Sequence, residues 1–159
     1  MTVAAAAVGA VALAACAPGS EITVRDPWIR LTDPNRPLGG FMIIVNGGAA
    51  DDALVGAESP DFGAIELHET VPVASEASPM PSDHGMRSPM PSSSGMAMTM
   101  RPVAEIPIPA RGEQVLQPGG YHLMLTGPTR SLVVGDVVEL TLRFKSGRSV
   151  TIEVPLRAP

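Results

Sequence analysis

The chain has 159 residues, enough for one domain with appendages. It carries only 3% aromatics and a single Cys, which excludes an internal disulfide and a Cys-x-x-Cys redox or zinc site, and its 16 Gly and 17 Pro argue against long helices and for short strands joined by turns. A net charge of −5 with no basic stripe or tail argues against nucleic acid as a partner.

Residues 2–15 are almost all small and apolar. The run is shorter than the ~20 residues of a membrane-spanning helix and matches the apolar region of a signal peptide. It ends in Leu13-Ala14-Ala15-Cys16, which resembles the bacterial lipobox, whose Cys becomes the lipid-modified first residue after cleavage. A signal peptide over 1–16 and lipidation of Cys16 are therefore expected, with plain secretion as the alternative. No Lys or Arg precedes the apolar run, which leaves room for a start further upstream. The mature protein is expected outside the cytoplasm, in the periplasm or on the outer face of the cell membrane, held there by its lipid. Thioether ligands have an advantage in such a compartment, because they are not lost to disulfide formation.

Residues 17–20 read as a linker, and the folded domain is expected over 21–159. Candidate strands follow at about 21–31, 40–46, 53–59, 63–70, 97–104, 113–116, 121–126, 136–145 and 149–156. Val138, Leu140, Leu142 and Phe144 alternate onto one face, residues 149–154 do the same, and Ser146-Gly147 turns between them, which predicts a C-terminal hairpin. Pro118-Gly119-Gly120 predicts a turn into Tyr121. No segment carries a helical stripe, so the reading is an all-β antiparallel sandwich or barrel. Trp28, Phe41, Tyr121 and Phe144 read as core or near-core residues. Asp51, Asp52 and Asp61 read as turn residues, and no carboxylate pair is placed for acid–base work.

Residues 71–96 break the pattern. Ser78-Pro79-Met80-Pro81-Ser82-Asp83-His84-Gly85-Met86 recurs ten positions later as Ser88-Pro89-Met90-Pro91-Ser92-Ser93-Ser94-Gly95-Met96, with seven of nine positions identical. This composition cannot build a core and predicts one long, mobile Met/Pro/Ser-rich loop. The repeat keeps Met at matched positions, which makes Met80, His84, Met86, Met90 and Met96 candidate auxiliary metal ligands. The alternative is a tolerated low-complexity insertion.

On a strand, residues i and i+2 point the same way. His122 and Met124 therefore share one face, leaving Leu123 and Leu125 for the core. Met98 and Met100 share the same relation, and His68 ends an alternating run in which Ile65 and Leu67 turn away from it. Three strand ends are expected to converge on a His/Met patch. Thioethers are soft and imidazole suits copper in either oxidation state, so the set points to Cu(I) first, with Cu(II) compatible. Met98 competes with Met100 as a ligand and reads otherwise as a backup or core residue.

Leu67-His68-Glu69, Met98-Thr99-Met100-Arg101, Ile106-Pro107 and Pro118-Gly119-Gly120-Tyr121-His122-Leu123-Met124-Leu125 resemble the periplasmic copper chaperones of the PCu(A)C family, as does Val24-Arg25-Asp26-Pro27-Trp28-Ile29-Arg30. In that family a His, a Met ten residues beyond it and a His-x-Met after 21 more bind one copper. Here 21 residues separate Met100 from His122, which matches, whereas 31 separate His68 from Met100. The repeat-bearing loop accounts for the excess. The resemblance implies a cupredoxin-like Greek-key β-sandwich and assigns His68, Met100, His122 and Met124 as metal ligands. It also implies Cu(I) transfer toward the CuA centre of cytochrome oxidase, often alongside Sco-type proteins.

The function expected is therefore a non-enzymatic copper chaperone. A copper-buffering or resistance lipoprotein is the runner-up, and a metal-free β-sandwich adhesion module would leave the His/Met pattern unexplained. Three His are too few for the multicopper or dinuclear sites of oxidase chemistry, and no Ser/His/Asp or Cys/His arrangement is evident, because the lone Cys is in the leader.

Overall fold

The computed structural model describes residues 22–33, 35–73 and 97–159. Cys16 and the repeat residues Met80, His84, Met86, Met90 and Met96 lie outside the described residues.

Among the described residues there are ten strands and no helix, so none is present that could cross a membrane. In chain order they are β1 (Ile22–Arg30), β2 (Leu38–Asn46), β3 (Asp52–Glu58), β4 (Phe62–Pro72), β5 (Met98–Pro102), β6 (Ile106–Ile108), β7 (Gly112–Leu116), β8 (Tyr121–Pro128), β9 (Val137–Phe144) and β10 (Ser149–Arg157). All nine expected strands form. The tenth, β6, is three residues around Pro107, too short for alternation to reveal. β4 runs to Pro72, so His68 sits within a strand and not at its end.

Hydrogen-bonded neighbours follow the order β5-β4-β8-β2-β1-β10-β9-β3-β6. β2 is shared: its first residues pair with β8 and Met42–Asn46 pair with β7. The pairing is antiparallel except where β1 and β10 run parallel, Ile29 beside Leu156 and Arg30 beside Arg157. The fold is thus mixed at one seam, because β10 must return alongside the first strand to close the core. The C-terminal hairpin forms as expected, its ladder running from Ser149↔Arg143 to Pro155↔Val137.

One apolar cluster joins both ends of this order. Leu38, Ile44, Leu67, Leu123 and Leu125 meet Leu54, Leu140, Leu142, Phe144 and Val154 in it, all buried. Removing this aliphatic area from water is the main stabilising term, because few aromatics are available. Phe144 joins the cluster, but Phe41 is buried outside it, on the opposite face of its sheet.

A bulge in β1 decides what that opposite face carries. The register against β2 shifts between Arg25 and Trp28, with Asp26 in the left-handed region at φ 46°. Asp tolerates that conformation better than most residues, and Pro27 has no N–H to leave unpaired. The extra residue reverses the alternation, so Trp28 pairs with Phe41 and Arg30 with Gly39 on the side away from the core.

Candidate metal centre

Cross-strand pairing sets which side chains share a face, because residues directly opposite in an antiparallel ladder project together. His68 on β4 lies opposite His122 on β8, and Glu66 lies opposite Met124. On the other flank Thr70, two residues from His68, lies opposite Met100 on β5. His68, Met100, His122 and Met124 therefore emerge on one face, while Leu67, Leu123 and Leu125 enter the core from the other. Met98 shares the face through its pairing with Pro72.

The four are not equally enclosed. His68 and His122 are buried, with 8% and 6% of their surface exposed, and their ring centroids are 5.8 Å apart. Alternation alone does not predict such enclosure; Phe41, 6.4 Å from His122 by centroids, supplies part of the cover. Met124 is half-buried. Met100 and Met98 are 58% and 54% exposed, so neither is core filler. Met100, His122 and Met124 line one cavity of about 380 Å³, together with Arg30, Gly39 and Phe41. His68 is outside that lining, beside His122.

Local hydrogen bonds orient both imidazoles. The Pro118-Gly119-Gly120 turn forms as expected, with Gly119 at φ 83°, where a side chain would be strained. It aims the Gly120 carbonyl at His122 Nδ1, 3.0 Å away, and the same oxygen accepts the Thr70 N–H at 3.1 Å. An acceptor at Nδ1 places the proton there and leaves Nε2 with its lone pair. His68 Nε2 stands 2.9 Å from Glu66 Oε2, while His68 Nδ1 is buried with no hydrogen-bond partner. An unpaired buried nitrogen is costly, and a metal ion is one way to satisfy it.

Arg30 caps the aromatic side of the cavity. Its guanidinium carbon lies 5.5 Å from the Trp28 ring centroid and 5.4 Å from that of Phe41, within cation–π range. Beside the site, Tyr121 is half-buried against the core, and burial, then the Glu69 carboxylate, push its hydroxyl above the ordinary value. Arg101 donates to Glu69 at 2.8 Å, tying β5 to β4.

Glu66, Arg30, Phe41 and Gly39 escaped the sequence reading as site residues. Glu66 carried a usable signal, since it stands two positions before His68 in an alternating strand. Arg30 and Trp28 stand in the family-like run 24–30, but the bulge breaks the alternation that would have placed them beside the His/Met face.

The family model described as "Putative lipoprotein LpqE-like" matches residues 22–156. "Putative lipoprotein Lxx21020" of Leifsonia xyli subsp. xyli (strain CTCB07) is 30% identical over 143 residues, covering 88% of this chain and 74% of that protein. Among solved structures, the copper-bound PCuAC domain from PmoF2 matches with a TM-score of 0.62 at 24% identity, over 90% of this chain and 97% of that one. The solution structure of CuI-DR1885 from Deinococcus radiodurans matches with a TM-score of 0.54 at 28% identity, over 92% and 83% of the two chains. The chain therefore belongs to the LpqE-like family, and its fold is the cupredoxin-like β fold of the PCuAC domains.

Proposed function

We propose that this protein is an extracytoplasmic copper chaperone that holds one Cu(I) on His68, Met100, His122 and Met124 and passes it to an acceptor protein. The observation that carries the reading is the arrival of two imidazoles and two thioethers on one face of one sheet through direct cross-strand pairing. That donor set suits Cu(I). Among the described residues no three His, Cys, Asp or Glu gather into a harder cage. The Cu(I)-bound form of DR1885 supports copper as the cargo. Membership of the LpqE-like family supports lipidation of Cys16 and a place on the outer side of a membrane. By family resemblance the acceptor is the CuA centre of cytochrome oxidase, reached directly or with a Sco-type protein. Buried His and an exposed Met100 suit this task, since an incoming ligand can reach the thioether first.

A copper-buffering lipoprotein is the second reading. It is favoured by Met98, an exposed thioether on the same face with no place in the four-residue set.

An anaerobic Cu(I) titration against a chromophoric chelator tests the site. One tightly held copper is expected. Met100→Leu and His122→Ala should each weaken it by more than the roughly 10–100-fold typical of losing an outer partner of a ligand, with urea unfolding still cooperative. Unchanged affinity in both variants overturns the assignment. Mixing the loaded protein anaerobically with an apo CuA domain, then separating the two and measuring the copper in each, separates the readings: transfer supports a chaperone, retention a buffer.

A further inference from the structure

We infer that Glu66 is a positioning residue that fixes His68 as an Nδ1 donor, so that the site uses two different imidazole nitrogens, Nδ1 of His68 and Nε2 of His122. The inference rests on the copper reading above.

The chemistry follows from what each partner can do. An ionised carboxylate only accepts hydrogen bonds. Glu66 Oε2, 2.9 Å from His68 Nε2, therefore holds the ring proton on Nε2 and leaves the lone pair on Nδ1. Nδ1 is the nitrogen that is buried without a partner. The backbone carbonyl of Gly120 is equally confined to accepting, and it engages Nδ1 of His122 at 3.0 Å, which leaves Nε2 as that ring's donor to a metal. The two rings are thus set in opposite tautomers by unlike partners, a side chain for His68 and the turn before β8 for His122. Their spacing fits a shared ion: metal–nitrogen bonds of about 2 Å from each ring give centroid separations of roughly 5–6.5 Å, and the observed value is 5.8 Å.

Glu66 is also placed to act through His68 and not on the metal. Its carboxylate occupies Nε2, and the lone-pair directions of the two ring nitrogens diverge. Its side chain is 61% exposed, while that of His68 is 10% exposed, so the carboxylate reaches the ring from the solvent side. Outer carboxylates of this kind orient imidazole ligands in metal sites generally. Exposure also means that Glu66 contributes little to the core, so it can be changed without unfolding the chain.

Long-range proton–nitrogen NMR of the imidazoles, with and without Cu(I), reads the tautomers directly. In the metal-free protein His68 is expected as the Nε2–H form and His122 as the Nδ1–H form. Cu(I) should then shift His68 Nδ1 and His122 Nε2. Glu66→Gln keeps an acceptor oxygen, and should keep the tautomer and hold Cu(I) affinity within about threefold. Glu66→Val removes the acceptor, and should mix the tautomers and weaken Cu(I) by roughly 10–100-fold. The inference is overturned if His68 carries its proton on Nδ1, if Cu(I) shifts the other nitrogen, if Val leaves affinity unchanged, or if Gln and Val weaken it equally. No Cu(I) uptake by the wild-type chain overturns the copper reading itself; uptake through the other nitrogen of either ring overturns this inference alone.

Discussion

Gly39 is the position where one added carbon should do most to the cavity. It pairs with Arg30 on one side and Met124 on the other, facing the His/Met side of the sheet. A β-carbon there would stand 2.8 Å from Cζ and 3.2 Å from Cε2 of Phe41. Ordinary contact begins near 3.4 Å, so the ring must retreat by about 0.6 Å, the difference between 3.4 and 2.8. A ring tip on an open surface would do this at little cost. Phe41 is hemmed in by Trp28 at 4.7 Å, His122 at 6.4 Å and the Arg30 guanidinium at 5.4 Å. Overpacking of this kind costs about 1–3 kcal/mol. Replacing Gly by Ala also restricts the unfolded chain, which returns roughly 0.4–1 kcal/mol. The net expectation for Gly39→Ala is a loss of about 1–2 kcal/mol in urea unfolding. Because the ring presses toward His122, Cu(I) affinity should fall about tenfold, or 1.4 kcal/mol. The same substitution in a Phe41→Leu background should lose most of its cost, giving a coupling of about 1 kcal/mol. Stabilisation by Gly39→Ala in both backgrounds would refute the steric argument.

Further outcomes follow from other parts of the molecule. Leu123 is fully buried between His122 and Met124, so Leu123→Ala should cost about 2–5 kcal/mol in denaturant unfolding, and a cost below about 1 kcal/mol would mean this face is not the core. Arg101→Ala should cost under about 1 kcal/mol, because the Arg101 side of its pair with the half-buried Glu69 is 62% exposed; a larger loss would make that pair essential to β5. Burial tends to raise the Asp52 carboxyl, but hydrogen bonds from the Ser146 hydroxyl and from the Ala53 and Ser146 N–H groups, with the Arg148 charge, outweigh it and leave the group below its ordinary value of 3.8. A lowered carboxylate stabilises above its unfolded value and loses that contribution as pH falls through the folded one. Asp52→Asn should therefore be less stable than wild type at about pH 7, with the gap closing below about pH 4; an equal gap at about pH 7 and about pH 3 would refute the linkage.

The legible parts of this structure were those written in period-two alternation. β9 and β10 follow directly from Val138, Leu140, Leu142 and Phe144 and from residues 149–154, and the separation of His122 and Met124 from Leu123 and Leu125 is carried by the same rule. Spacing could not say how enclosed the imidazoles are. That depends on Phe41, which comes from β2, and on β8 lying between β4 and β2. The bulge at Asp26 was invisible for a related reason: one inserted residue reverses the face of Trp28 and Arg30 while leaving composition unchanged. The parallel seam between β1 and β10 joins the two ends of the domain and has no local signature at all.

Among the described residues β5 pairs with β4 alone, and all five of its residues are exposed. No side chain of that strand anchors it in the interior, whereas β4 and β8 are held by Leu67, Leu123 and Leu125. Opening a peripheral ladder costs far less than global unfolding. The cluster therefore has two mechanical regimes, a stiff imidazole pair set in the body of the domain and a compliant thioether on a strand that can fray while everything beneath it stays folded. For the proposed copper site, tight retention and easy surrender, which compete when all donors sit on one rigid frame, would fall to different strands.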